Sequence, residues 1–376
     1  GEGPIIGIYS HADVVPVSGQ WRFPPFIGTI ADGKMFGRGT SDDKGPGMAA
    51  FYALKALKDN HLIQGFQIRH VVGGNEEKGS RCLDYYFHKL HRPYPKYGFT
   101  PDAEFPLIYG EKGITNYLTS GPVDLAPVLS IEAGVVVNSV IDIAKAKLVK
   151  DPSIENVLRA KGYKFEVSHD DQYTYVTMRG QAAHGSVPEK GVNAGLQLLA
   201  VLGEHYHLKA LSQLAALYAD PSGKSLHEFY ETELLHATTY NVGLISYDGH
   251  EFSLVVNFRY PETVDPLIVI PRIADKSPLS TKILSTAPSL LVDPKSAMIQ
   301  TLLKVYQTET GDMKTPIMAI GGGTYAKEAK NTVAFGSNFP GKDDHIHEAN
   351  EKIDLEDFYK SMPIYAHAIH ALGKMK

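Results

Sequence analysis

Gln67-Ile-Arg-His-Val-Val-Gly-Gly-Asn-Glu-Glu77 carries the reading of the fold. Its first residues, Gln67–Val72, form a strand-like run. Two glycines end it, and two carboxylates stand just ahead of a helix-like stretch, Gly79–Leu90. Adjacent carboxylates at a strand end repel each other unless a cation sits between them. Glu76-Glu77 therefore points to a metal site with one carboxylate left to move protons. The competing reading is a solvated helix start, where acidic side chains favour the positive end of the helix dipole.

Outward from this stretch, strand and helix signals alternate. Ile5–Tyr9 and Tyr97–Thr100 read as strands, and Gly45–Lys58 has helical spacing through Met48, Phe51, Ala53, Leu54 and Leu57. The alternation predicts an α/β fold, a mostly parallel sheet with helices on both faces. From 113 to 289 the texture changes. Short β-like runs (Tyr173–Arg179, Thr239–Ser246, Phe252–Tyr260) mix with helical stretches Val192–Tyr206 and Lys209–Tyr218, as in an α+β domain. From 290 the first texture returns, with a helix at Ser296–Thr308, a strand at Thr332–Phe335 and a helix at Leu355–Leu372. The prediction is a catalytic domain of residues 1–112 and 290–376, split by an inserted α+β domain, 113–289.

Composition narrows the function. A chain of 376 residues suits two domains, and 43% hydrophobic content is ordinary for a globular protein. Lys and Arg number 37 and Asp and Glu 42, a net charge of −5, so no basic surface argues for nucleic acid or an anionic membrane. No apolar run approaches the ~20 residues of a membrane span, and Gly-Glu-Gly-Pro-Ile-Ile does not read as a signal peptide. The single cysteine, Cys82, allows no internal disulfide and fits a reducing cytoplasm. A metal must then be held by His, Asp and Glu, which suits catalytic zinc or manganese.

Candidate ligands follow the strands. His11-Ala-Asp13 ends the first; alone it reads as a polar strand end, or as a ligand with a carboxylate placed to orient its ring. Asp42-Asp43 precedes a helix and reads as an N-cap or, between glycines, as a cation site. Pro101-Asp102 reads as a turn or a ligand, and His345-Ile-His347 as surface histidines or ligands. Their joint placement favours the ligand readings, because strand C-termini of an open α/β sheet line the ligand crevice.

Ser-His-Ala-Asp-Val-Val-Pro (10–16), Gly-Arg-Gly-Thr-Ser-Asp-Asp-Lys-Gly-Pro (37–46), Asn-Glu-Glu (75–77), Pro-Asp-Ala-Glu-Phe-Pro (101–106) and His-Glu-Ala-Asn-Glu (347–351) resemble the M20 metallopeptidases, most closely the PepV-type bacterial dipeptidases. Ala-His-Gly-Ser-Val-Pro (183–188), Asn-Phe-Arg-Tyr-Pro (257–261) and Gly-Gly-Gly-Thr-Tyr-Ala (321–326) extend the likeness along almost the whole chain. The resemblance implies two divalent ions roughly 3.5–4 Å apart. Zn²⁺ is expected first, with Mn²⁺ and Co²⁺ accepted by the same donors. It implies that His11 and Asp102 hold one ion, Glu77 and His347 the other, and that Asp42 bridges them before a cis peptide to Asp43. Asp13 would steady the His11 ring, and Glu76 would be the general base for a water bridging the ions. His184 would donate to the oxyanion, and Arg259, Thr324 and Asn138 would grip a dipeptide. Asn138 follows the family pattern only loosely, and Arg259 has a domain-interface salt bridge as its alternative.

An insert of about 175 residues has room for two pseudo-symmetric lid halves, so a monomer is expected, with a homodimer the alternative. The family carries a helix and strand ahead of the first ligand, so the N-terminal part of the catalytic domain reads as missing. The stretch 234–240 reads as an abrupt junction. Rival functions are an N-acyl amino acid deacylase, an aminotripeptidase and a non-catalytic binding protein on the same fold. Serine hydrolysis lacks its Gly-x-Ser-x-Gly, and the P-loop-like Pro221–Ser225 has Tyr218 in place of the first glycine.

Overall fold

A computed structural model describes residues 2–375. The chain divides into two compact units, Gly1–Glu111 with Leu290–Lys376, and Lys112–Ser289.

The first unit is built on a seven-stranded, mostly parallel sheet. Strand Ile5–His11 lies next to one edge, parallel to the edge strand Gln67–Gly73 on one side and to Tyr97–Thr100 on the other. Thr332–Ala334 continues the parallel run beyond Tyr97–Thr100, and Leu290–Leu291 adds antiparallel pairing to Ile108–Glu111. Alternate residues of Ile5–His11 face opposite ways. Ile6, Ile8 and Ser10 share one face, and a Cβ on Gly47 of helix Lys44–Asp59 would lie 3.0 Å from Ser10. On the other face Tyr9 packs with Leu83, Phe87 and Tyr325. Both faces are thus covered by helical segments, as burial of a parallel sheet requires. The stretch 79–90, expected as one helix, is a short α-helix, Arg81–Asp84, running into a π-helical turn, Tyr85–Lys89.

The second unit carries an eight-stranded sheet whose spatial order runs Lys164–His169, Tyr173–Arg179, Ile143–Val149, Val128–Ala133, Thr239–Tyr247, Glu251–Tyr260, Gly113–Pro122, Ser280–Ala287. Its alternating strands bury Leu148, Val176, Met178, Leu254, Val256 and Phe258 against helix Ala194–His205 and its neighbours. The 234–240 stretch forms the return of a short hairpin, Glu231–Thr232 with His236–Ala237. Among the described residues no helix is long and apolar enough to cross a membrane.

Candidate metal centre

The sheet register gathers the chemistry. His11 is paired with Gly73, so the strand end bearing His11 lies beside the segment that leads into Glu76-Glu77. Asp102 follows Tyr97–Thr100, on the other side of strand Ile5–His11. Asp42 precedes helix Lys44–Asp59 across a cis peptide to Asp43, where the family resemblance placed one. His347 arrives from the 343–350 loop with a left-handed backbone, φ 64°.

Asp42 joins two groups. Its Oδ1 lies 2.8 Å from His11 Nε2, which is 3.6 Å from Asp102 Oδ2. Its Oδ2 lies 2.8 Å from His347 Nε2, which is 3.4 Å from Glu77 Oε2. Within each group, His11-Asp42-Asp102 and Asp42-Glu77-His347, one atom per residue lies within 4.8 Å of the others. His345 stands apart, beside Asp343 and Glu348.

The donor set fits divalent cations. His11 Nδ1 lies 2.9 Å from the Asp13 carbonyl oxygen, which can only accept, so Nδ1 carries a proton, and a ring made neutral by a cation offers its Nε2 lone pair. Glu77 Oε1 is buried without a hydrogen-bond partner, and buried His11 Nε2 faces the Asp42 and Asp102 oxygens at 2.8 and 3.6 Å without hydrogen-bond geometry to either. Such orphaned atoms are costly in a protein interior unless a ligand completes them. The surrounding charge agrees. Burial, then repulsion from Asp102, holds the Glu76 carboxyl well above the usual carboxylate range. Burial and Asp42 push Asp102 up to about 7. Burial opposes a charge on His11, but Asp102 and Asp42 outweigh it and hold the ring far above its ordinary value. Bonds to Asp42 and Glu77 raise His347 to about 10. Carboxylates that repel one another and histidines that attract protons are the behaviour of a site built around positive charge.

Supporting residues set this geometry. The Asp13 carboxylate accepts from the Glu76 and Glu77 backbone N–H groups at 3.1 and 3.2 Å, so it anchors the acidic pair while its own carbonyl holds the ring. Asp43, fully buried, accepts from the His11 N–H at 3.1 Å. Glu351, equally buried, accepts from the backbone N–H groups of Ser41 and Asp42 at 3.0 and 3.2 Å and from Arg38 at 2.6 Å. Sequence reasoning gave Glu351 and Arg38 no role and read Asp43 only as an N-cap or part of a cation site. Their only sign in the sequence was a charged residue inside a motif already assigned to its neighbour.

Thr324 lies in the same unit, 7% exposed. Its hydroxyl donates to Glu111 Oε1 at 2.7 Å and accepts from the Ala326 N–H at 3.1 Å. The remaining site residues gather in the second unit. The His184 neighbour Gly185 donates its N–H to the Asn138 carbonyl at 2.7 Å, and a Cβ there would lie 3.0 Å from Asn257 Oδ1. Arg259 Nε donates to the same Asn257 oxygen at 2.8 Å. Burial lowers the Arg259 pKa to about 10. The Ser186 N–H, which can only donate, approaches His184 Nδ1 at 3.4 Å, and the Ser186 hydroxyl lies 2.7 Å from the same nitrogen. Nδ1 is therefore the acceptor, and the neutral ring carries its proton on Nε2.

Residues 7–371 match the peptidase family M20/M25/M40. The chain belongs to that family. This M20 chain is 34% identical over 394 residues to "Putative dipeptidase YtjP" of Bacillus subtilis (strain 168), covering 100% of this chain and 84% of that one. Its fold is that of an M20 family metallo-carboxypeptidase, Sso-CP2, from Sulfolobus solfataricus, with TM-score 0.61 at 16% identity over 99% of this chain and 86% of that one. The di-peptidase Dug1p from Saccharomyces cerevisiae gives TM-score 0.58 at 17% identity, over 99% and 80%. The protein is accordingly a metallopeptidase-type hydrolase, and the geometry above supplies its candidate ligands.

Proposed function

We propose that this M20 enzyme is a dipeptidase that uses two divalent ions, with Zn²⁺ first and Mn²⁺ or Co²⁺ as alternatives. The observation that carries the reading is Asp42, which gives one oxygen to each of two histidines at 2.8 Å. His11 and Asp102 would hold one ion, Glu77 and His347 the other, and Asp42 both. When bound, such ions supply the positive charge that polarises a scissile carbonyl and eases ionisation of a water.

The chain's own residues do the rest. Glu76, buried among carboxylates that raise its proton affinity, takes a proton from water and delivers it to the leaving amine. Asp13 keeps Glu76 in place through its backbone. His184 donates from Nε2 to the developing oxyanion. Arg259 pairs with the substrate carboxylate, helped by Lys112, whose pKa is lowered by burial and by Arg259 itself. Asn138 lines the same cluster. The Thr324 hydroxyl is committed to Glu111 and Ala326, so its share is to hold the 321–324 glycine loop in shape.

The second unit supports a monomer. Its central strands, Val128–Ala133 and Thr239–Tyr247, each lead into a hairpin partner, then a helix (Ile154–Ala160 or Pro266–Ala274), then an edge strand. We read these as two lid halves in one chain. The deciding experiment strips metal by chelation, adds back each ion, and offers Ala-Ala-type dipeptides, tripeptides and N-acetyl amino acids. Preference for dipeptides supports the proposal; preference for N-acetyl substrates or tripeptides replaces it with deacylation or aminotripeptidase activity.

A further inference from the structure

We propose that Glu111 is a positioning residue that locks the 321–327 loop against the side of the sheet bearing His11. It ends strand Ile108–Glu111 and is 0% exposed. A carboxylate with no solvent is costly unless its oxygens are hydrogen-bonded. Here one residue supplies both bonds. The Thr324 hydroxyl donates to Oε1 at 2.7 Å and the Thr324 N–H to Oε2 at 3.0 Å. Burial still raises the Glu111 pKa, against the opposing pull of Lys327 and these two bonds.

The position of Glu111 in the chain gives the pairing its meaning. Glu111 is the last residue before the chain enters the 112–289 unit. Leu290, the first residue after the return, is its antiparallel partner, and Ile320, just ahead of the glycine loop, is its parallel partner. Both chain crossings and the loop are therefore tied at one residue. From Thr324 the path is short. Tyr325 is fully buried, lies 2.8 Å from Cys82 Sγ through its hydroxyl, and meets the His11 ring edge-on with centroids 6.1 Å apart. A Cβ on Gly73 would fall 2.0 Å from the Tyr325 hydroxyl, so the ring rests directly on the strand end that leads to Glu76. A loosened Thr324 frees Tyr325, and with it one wall of His11 and the approach to Glu76.

The test compares Glu111→Gln, Thr324→Val, their double variant and Thr324→Ser in the full chain, by hydrogen exchange and by kinetics. Glu111→Gln and Thr324→Val are each expected to speed exchange at the 324–326 amides roughly 10- to 100-fold, with the 355–374 helix unchanged. The double variant should speed exchange by less than the product of the two singles, because both weaken the shared hydroxyl–carboxylate bond. Thr324→Ser keeps both donors and should exchange like the parent chain. Unchanged exchange in Glu111→Gln, additive effects in the double variant, or loosening by Thr324→Ser overturns the proposal. If Glu111→Gln fails to fold, the two Thr324 variants still decide. The kinetic arm rests on the dipeptidase reading. There kcat should fall about tenfold with KM within about twofold and metal content unaltered. A parent chain that cleaves no dipeptide defeats that reading alone, while exchange still judges Glu111.

Discussion

The two units gather polar side chains in opposite ways. In the first, Asp42, Asp102, Glu76 and Glu77 crowd around two histidines, and orphaned atoms on His11 and Glu77 lie buried. In the second, Asn257 accepts from Arg259 and donates to Asn116 at 2.8 Å, and Ser186 orients His184. One cluster is incomplete without positive charge; the other is largely satisfied by its own members. On the proposed reading, the first unit would hold the ions and the base, and the second would supply the oxyanion donor and the grip on the substrate carboxylate.

Four measurements can break or sharpen that division. The largest effect is expected from Glu76→Gln, which should lower kcat roughly 10³-fold while metal analysis still finds both ions. Undiminished turnover would remove Glu76 as the base. Next, His184→Ala should lower kcat about 10²-fold without changing metal content, since its work is donation and not ligation. Lost metal in this variant would blur the two clusters into one.

The third effect concerns acid stability. Burial lowers the pKa of His70, in the edge strand Gln67–Gly73, to about 4, and its Nε2 lies 2.9 Å from Ser10 Oγ. Between pH ~6.5 and ~4 the unfolded chain binds a proton that the folded chain refuses. Stability is therefore lost as pH falls through that window, by about 3 kcal/mol at its lower end. Replacing His70 with Gln should flatten this part of the pH–stability curve of the first unit, measured by denaturant unfolding. A curve with the parent's slope would place the acid sensitivity elsewhere. The smallest effect is expected from Arg259→Met, a rise in KM of about tenfold with kcat nearly kept. A fall in kcat alone would move Arg259 from recognition to chemistry.

Much of this was legible in the chain. Ile5–Tyr9, Gln67–Val72 and Tyr97–Thr100 were readable as strands from their apolar runs, and all are strands in the parallel sheet. Helix Leu355–Lys374 was readable from its periodic apolar face. The stretch 79–90 was not: its helical spacing does not reveal that the turn widens to a π-helix at Tyr85–Lys89. The roles of Asp43, Glu351 and Glu111 were equally hidden, because a buried carboxylate and an exposed one look alike in sequence.

By itself the sequence determined the first strands of the parallel sheet, several helices, and the residue types able to hold cations, because periodicity and side-chain chemistry are local. Only the tertiary structure decided that Asp42 offers one oxygen to each histidine, that the Asp13 carboxylate holds backbone while its carbonyl sets the His11 tautomer, and that Thr324 is bound by Glu111. These are contacts between residues far apart in the chain. Their partners are chosen by sheet register and burial, which no local pattern encodes.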